Sequence, residues 1–390
     1  MPSHMTSDGS TEDRRPMDTQ VDTTRTDMTG RRSFLKGAGI AGGAVLGSAV
    51  FAGAAGAQVS RRSNRITPGD VAILRFLAAA ELIEADLWQQ YDELGGVNGG
   101  NPFYMAALSN IDPDMPTYIH LNNEDEQSHA MFLNAYLESK GADPVNLDAF
   151  RKLPSSKATG AKTTRRLTSL TSLNVDTSWY TRYRSTTNPD FGATFPQAIE
   201  IHNQPAIPVS DQDTPPNNTT VPTPATTPQE SRIQAIACTA AFHFGFIEQG
   251  GSSLYATLAE KVSNVEVLRI VASIGGTEDQ HFATWQDDAG NAAADPIAPV
   301  TDPETHLTIP DLNNPGGPLL QTNLIFPHPC EFISPNLPLC AVVRPTLDRD
   351  AGAQAAVKAF TDDGLFQGQS AAFFSTLHRL AVAADDAVRS

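Results

Sequence analysis

Four stretches of this 390-residue chain have helical periodicity, and each carries a glutamate inside its apolar stripe. Glu81 lies among Leu74, Leu77, Ala78, Ala85 and Trp88. Glu126 lies among Ile119, Ala130, Leu133 and Leu137, on a face that Asn122 and Asn123 interrupt. Glu248 lies among Ala241, Phe244, Gly245 and Tyr255, and Glu278 among Val271, Ile274, Phe282 and Trp285. An unpaired carboxylate in an apolar interior costs several kcal/mol, so four acids on four core faces demand a compensating partner. This constraint narrows the fold more than any other feature of the chain.

The helical segments are delimited by their ends. Thr67-Pro68-Gly69-Asp70 sets a capping residue before proline at the first helical position, and the run continues to Leu94 before Gly95-Gly96. A second segment starts near Pro116 and ends at Lys140-Gly141, a basic last turn followed by glycine. Thr227-Pro228-Gln229-Glu230 reads as a capping box opening a segment to about Lys261. Ser263-Asn264-Val265-Glu266 reads as another, opening a fourth that fades at Gly290. Each run is roughly 25 residues or more, near 37 Å at the helical rise, a length suited to a bundle. The third and fourth segments are nearly contiguous, whereas residues 141–227 separate the second from the third. One long crossover in the middle is a recognised bundle topology. Within that crossover Leu170–Val175 and Ala198–Ile201 read as short strands, and Thr214–Pro228 as a low-complexity linker. Residues 291–390 divide into a Pro-, Asp- and Asn-rich stretch and two terminal helices, Ala351–Phe360 and Gln367–Val388, expected to pack on the outside of the bundle. The expected fold class is thus an all-α core with a long crossover, a loop-rich insertion and C-terminal helices.

Two strings carry chemistry: Glu126-Gln127-Ser128-His129 and Glu278-Asp279-Gln280-His281. The three-residue offset in Glu-x-x-His puts both side chains on one helical face, a turn apart. One such string is a weak signal; two, on the second and fourth segments, with Glu81 and Glu248 on the others, form a set that can surround a pair of cations. Four carboxylates also balance the charge of two divalent ions. Glu84 competes with Glu81, but Glu81 stands seven residues before Trp88 as Glu248 stands seven before Tyr255. Glu124, Asp125 and Asp279 read as solvated or outer groups, and His120, His202 and His243 as satisfied or exposed histidines. Tyr91, Tyr136 and Tyr255 read as core residues near the site.

The net charge of −17 excludes nucleic acid as a partner, because a phosphate backbone requires a basic footprint. Residues 1–57 read as a polar N-terminus and a leader. Arg31-Arg32-Ser33-Phe34-Leu35-Lys36 precedes a mild apolar run from Gly37 to Ala54, and Ala55-Gly56-Ala57 supplies small residues for cleavage before Gln58. The run is rich in Gly and Ala, too weakly hydrophobic for a lasting anchor, so no stable membrane span is expected after cleavage. Of three cysteines, Cys330 and Cys340 sit in Pro-rich sequence where an oxidising compartment permits a bond, and Cys238 falls in a helical run.

On the paired Glu-x-x-His strings, the two lone glutamates with an aromatic seven residues on, and the crossover position, the chain resembles the ferritin-like superfamily. It is most similar to exported ferritin-like domain proteins related to desiccation and stress proteins. The resemblance covers residues 67–140 and 228–290. It implies a ferritin-like four-helix bundle with two metal ions, iron or manganese, bridged by Glu126 and Glu278. Glu81 and His129 would cap one ion, Glu248 and His281 the other. The leader resembles a twin-arginine signal, which implies recognition of Arg31 and Arg32 by that translocation machinery. Export of an already folded, metal-loaded protein to the periplasm, cell envelope or exterior follows. Three roles fit: a redox centre reacting with oxygen or peroxide, a stress or envelope protein with a structural metal site, and iron sequestration. The crossover and the C-terminal extension are departures that would crowd the assembly surfaces of a storage shell; an oligomer of another kind is permitted.

Overall fold

Helix ends that satisfy their own backbone donors set the architecture. The computed structural model describes residues 66–184, 195–216, 220–312, 334, 336–343 and 351–390. The leader and Cys330 lie outside these residues; Cys340 is exposed and Cys238 buried. The expected long helices are α1 (Pro68–Gly95), α3 (Met115–Ser139), α5 (Pro228–Ala259) and α6 (Val265–Ala292). Thr67 and Thr227 each close a full capping box, with Asp70 and Glu230. For α6 the cap is Asn264, one residue later than the sequence suggests, accepting from the Glu266 amide. At the end of α3, Gly141 takes a φ of 75°, a left-handed turn that glycine adopts without strain.

The connection from α1 to α3 holds a helix the sequence reading omits, α2 (Pro102–Ile111), capped by Asn101. The strands expected in the crossover do not form. Leu173 and Gln204 make an isolated antiparallel bridge, and Leu170, Leu173, Val175, Ile199 and Ile201 instead bury their side chains. Among the described residues of the crossover, the regular structure is one short helix, α4 (Ser178–Arg184), and two 3₁₀ turns. The described strands are the two-residue β1 (Val300–Thr301) and β2 (Thr308–Ile309), paired antiparallel.

The long helices associate as two intimate pairs, α1 with α3 and α5 with α6. Two terminal helices, α7 (Ala353–Asp363) and α8 (Ala371–Asp385), follow. They pack against α5 and α1 respectively, and Asp385 accepts from the Ala353 amide at 2.7 Å, tying the two together. Among the described residues no helix is long and apolar enough to cross a membrane.

Buried charge as well as apolar packing anchors the crossover. Asp86, 1% exposed on α1, accepts from the amides of Leu167 and Thr168 at 2.9 Å each and from the Thr168 hydroxyl at 2.8 Å. Arg151 pairs with its other oxygen at 2.5 Å, and Arg166, 1% exposed, pairs with Glu93. Removing one member of such a network leaves the others desolvated and unpaired. Asp86→Ala is therefore expected to destabilise the protein by about 3–5 kcal/mol, read as a shift in the urea midpoint. A change under about 1 kcal/mol, within the range of an exposed ion pair, would show that the crossover is held by other means.

Candidate metal centre

The apolar stripes place all six sequence-predicted residues in one interior cluster. Glu81 comes from α1, Glu126 and His129 from α3, Glu248 from α5, and Glu278 and His281 from α6. The four glutamates are 0–1% exposed and the histidines 8–9%. Donor atoms of Glu81, Glu126, His129 and Glu278 all lie within 4.8 Å of one another, as do those of Glu126, Glu248, Glu278 and His281. Glu126 and Glu278 belong to both groups.

Contacts within the cluster converge on the two histidine rings. His129 Nδ1 is 3.1 Å from Glu126 Oε2, 3.3 Å from Glu81 Oε2 and 3.5 Å from Glu278 Oε1. One ring nitrogen cannot hydrogen-bond three carboxylates, and Glu81 Oε2 and both oxygens of Glu278 lack any hydrogen-bond partner. Orphaned, fully buried carboxylate oxygens facing a histidine nitrogen are what a cation site looks like before the ion is counted. The donors fit a metal ion: carboxylate oxygen and imidazole nitrogen at mutual distances that a central ion can span. His281 Nδ1 repeats the pattern, 3.1 Å from Glu126 Oε1 and 3.2 Å from Glu248 Oε2.

Around this set lie residues that hold it. Tyr255 donates its hydroxyl to Glu81 Oε1. His281 Nε2 faces Asp125 Oδ2 at 3.2 Å, so Asp125 is the outer partner that orients the ring. Asn122, which the sequence reading treats as an interruption of the apolar face, donates to Glu126 Oε1 at 2.8 Å and to Glu248 Oε1 at 3.1 Å. Its own oxygen accepts from Trp285 Nε1 at 2.8 Å. The available signal was its position one turn before Glu126. Gly251 matters because a Cβ there would stand 2.3 Å from Glu278 Oε2. Glu84, the competitor of Glu81, is buried beside the cluster but outside both groups of close donors. It lines a cavity of about 460 Å³ together with Gly251, Trp179, Phe246 and Phe360. Glu124 and Asp279 are exposed; His120 pairs with Asp92 at 3.0 Å, and His202, also exposed, with Glu200.

Burial and crowding decide where protons sit. Desolvation pushes Glu81 up to about 7, against the pull of the neighbouring His129 ring. Desolvation also raises Glu84 and Glu278 well above the ordinary range, helped by neighbouring carboxylates, and raises Glu248. For Glu126 desolvation is overcome by both histidines, which bring it to about 2. Burial would lower His129 and His281, but the carboxylates prevail and hold them near 10 and 12. Without metal, the cluster therefore keeps two protonated rings and several neutral carboxyls.

Comparison with protein-family models, curated proteins and solved structures returns no match. The chemistry of the site is therefore read from its own residues.

These proton positions fix a sign. Glu81 contributes stability in full below 4.5, lost as pH rises through about 7; His129 contributes in full below 6.5, lost as pH rises through about 10. Metal-free protein should therefore lose thermal stability as pH rises from near 5 to near 8. Metal needs the deprotonated donors, so the increment in melting temperature from added Mn²⁺ should grow over the same range, with protons released on binding. Calorimetry with and without the ion checks both; a metal increment that shrinks with rising pH contradicts the assignment.

Proposed function

We propose that this chain is an exported protein of the ferritin-like superfamily. In this reading the four long helices form a bundle around two metal ions, iron or manganese, that react with oxygen or peroxide. The observation that carries the reading is the overlap of the two donor groups: Glu126 and Glu278 belong to both. Shared carboxylates between two sets, each completed by its own glutamate and histidine, are the arrangement expected for bridged ions. Glu81 and His129 would hold one ion, Glu248 and His281 the other. Four carboxylates against two divalent cations leave the buried site nearly neutral, which offsets the desolvation penalty that raises these groups when the ions are absent.

A redox role is read from the chemistry of the donors: iron or manganese held by these carboxylate oxygens and imidazole nitrogens would supply electrons to oxygen or peroxide. The chain's own residues supply the rest: Tyr255 and Asn122 orient carboxylates, Asp125 orients His281, and the aliphatic and aromatic surroundings keep bulk water out. The cavity lined by Glu84 and Gly251 offers space of about 460 Å³ next to Glu278 for a small reactant. Export rests on the Arg31-Arg32 leader and accounts for loading before translocation, since folding around the ions completes the core.

Protein loaded with Fe²⁺ should change its absorption spectrum on adding peroxide. Loaded protein inert to both peroxide and oxygen overturns the redox reading and leaves a structural metal site. Gly251→Ala offers a sharper probe. Alanine favours the helix by about 1 kcal/mol, which offsets part of the cost of shifting the buried Glu278 carboxylate, so the metal-free variant should remain folded. Displacement of the Glu278 carboxylate should nonetheless weaken metal affinity by at least about ten-fold, the scale of losses at residues that orient ligands. Unchanged affinity in titration calorimetry would remove Glu278 from the site. Replacing Arg31 and Arg32 by lysine should leave the protein unexported, read by fractionation of cells; continued export contradicts the leader assignment.

A further inference from the structure

Outside the cluster, α1, α5 and α7 meet at three buried polar side chains that the metal site does not use. Tyr91 Oη lies 2.8 Å from His243 Nδ1, and His243 Nε2 lies 3.1 Å from Asp363 Oδ2. None of the three is more than 1% exposed. A carboxylate only accepts, so Asp363 holds the proton on Nε2 and leaves a lone pair on Nδ1, toward which the Tyr91 hydroxyl donates. The phenol thus has a positioned base, and the base has a positioned counter-charge.

A second observation joins this trio to the cluster. Asn122 bonds Glu126 and Glu248 on one side and Trp285 Nε1 on the other. Trp285 stacks on Trp88, with centroids 5.3 Å apart and planes at 22°, and Trp88 stands 5.6 Å from Tyr91. Every step from the carboxylates to the phenol is a hydrogen bond or a ring contact.

We propose that Tyr91 is a redox-active tyrosine, oxidised by one electron through Trp88 and Trp285 while its phenolic proton passes to His243. The electron goes to a one-electron oxidant; the O–H bond of Tyr91 breaks and an N–H bond forms at Nδ1. The products are a neutral phenoxyl radical and an imidazolium paired with Asp363, and reduction returns electron and proton together. Burial raises the Tyr91 phenol well above its ordinary range, so a phenolate does not form unaided and proton loss accompanies electron loss. Asp363 also lines a cavity of about 400 Å³ with the exposed Lys358 and Asp362, so the outer end of the relay borders water. The physiological oxidant, the oxidised metal pair, rests on the function proposed above; the tyrosine relay itself does not.

The test has two arms on the full-length protein. In the first, metal-free protein is oxidised by photogenerated ruthenium(III) polypyridine and followed by freeze-quench electron paramagnetic resonance. Wild type should give a long-lived tyrosyl signal, absent in Tyr91→Phe. In His243→Gln the radical lifetime should shorten by at least about ten-fold, a small part of what a positioned base can contribute. A folded Tyr91→Phe protein with the wild-type signal, or equal decay in His243→Gln, overturns the proposal. Deuterating the tyrosine rings of the wild-type chain alters no contact and should collapse the hyperfine structure; a signal indifferent to it also overturns the proposal. In the second arm, Fe²⁺-loaded protein meets peroxide and should give the same signal. A Tyr91 radical in the first arm alone sustains the relay and overturns the redox-metal reading instead.

Discussion

Four carboxylates and two imidazoles packed between helices in a low-dielectric interior are the constraint on which this structure depends. Their mutual repulsion and desolvation oppose folding: burial raises Glu81, Glu248 and Glu278 above the ordinary carboxylate range, while the carboxylates hold both histidines near 10 and 12. Bound cations would relieve them by direct charge neutralisation. The same six residues therefore couple stability to proton content and, with cations bound, would couple both to metal content.

The rest of the fold can be understood as support for that cluster. The α1–α3 and α5–α6 pairs deliver one half of the donors each. The crossover is fixed to α1 through Asp86 and Glu93, on the helix that carries Glu81, so its closure over the core limits how far that helix can shift. A further buried network, Arg232 with Asp213 and Asp302, ties α5 to the crossover and to the segment before β2. Gly245 lets the Trp179 ring of α4 approach α5, since a Cβ there would stand 2.3 Å from it. Helix α7 in turn brings Asp363 to His243, within one helix of the cluster.

What could be read in the sequence was local. The caps at Thr67 and Thr227 lie within four residues, and the acids fall on apolar stripes of a single period, so helices and ligands were legible together. Where a signal needed distant partners, it failed. Leu170–Val175 mixes apolar and polar residues as a short strand does, but its neighbours in space are a helix and a loop, and the backbone found one bridge instead of a ladder. Asn122 looked like a flaw in an apolar face because its partners, Glu248 and Trp285, come from two other helices. Tyr91, His243 and Asp363 are each unremarkable in sequence; only the packing of α1, α5 and α7 makes them one unit. Helix α2 was the exception, a local cap at Asn101-Pro102 that the reading passed over.

Glu126 and Glu278, common to both donor groups, would be shared by a pair of ions. Anomalous diffraction from crystals of the manganese-loaded protein tests it most directly. Two peaks should appear in the core, both adjacent to Glu126 and Glu278, one also beside Glu81 and His129 and the other beside Glu248 and His281. A single peak, or peaks held by Glu84 or Asp125 in place of the shared carboxylates, would contradict it.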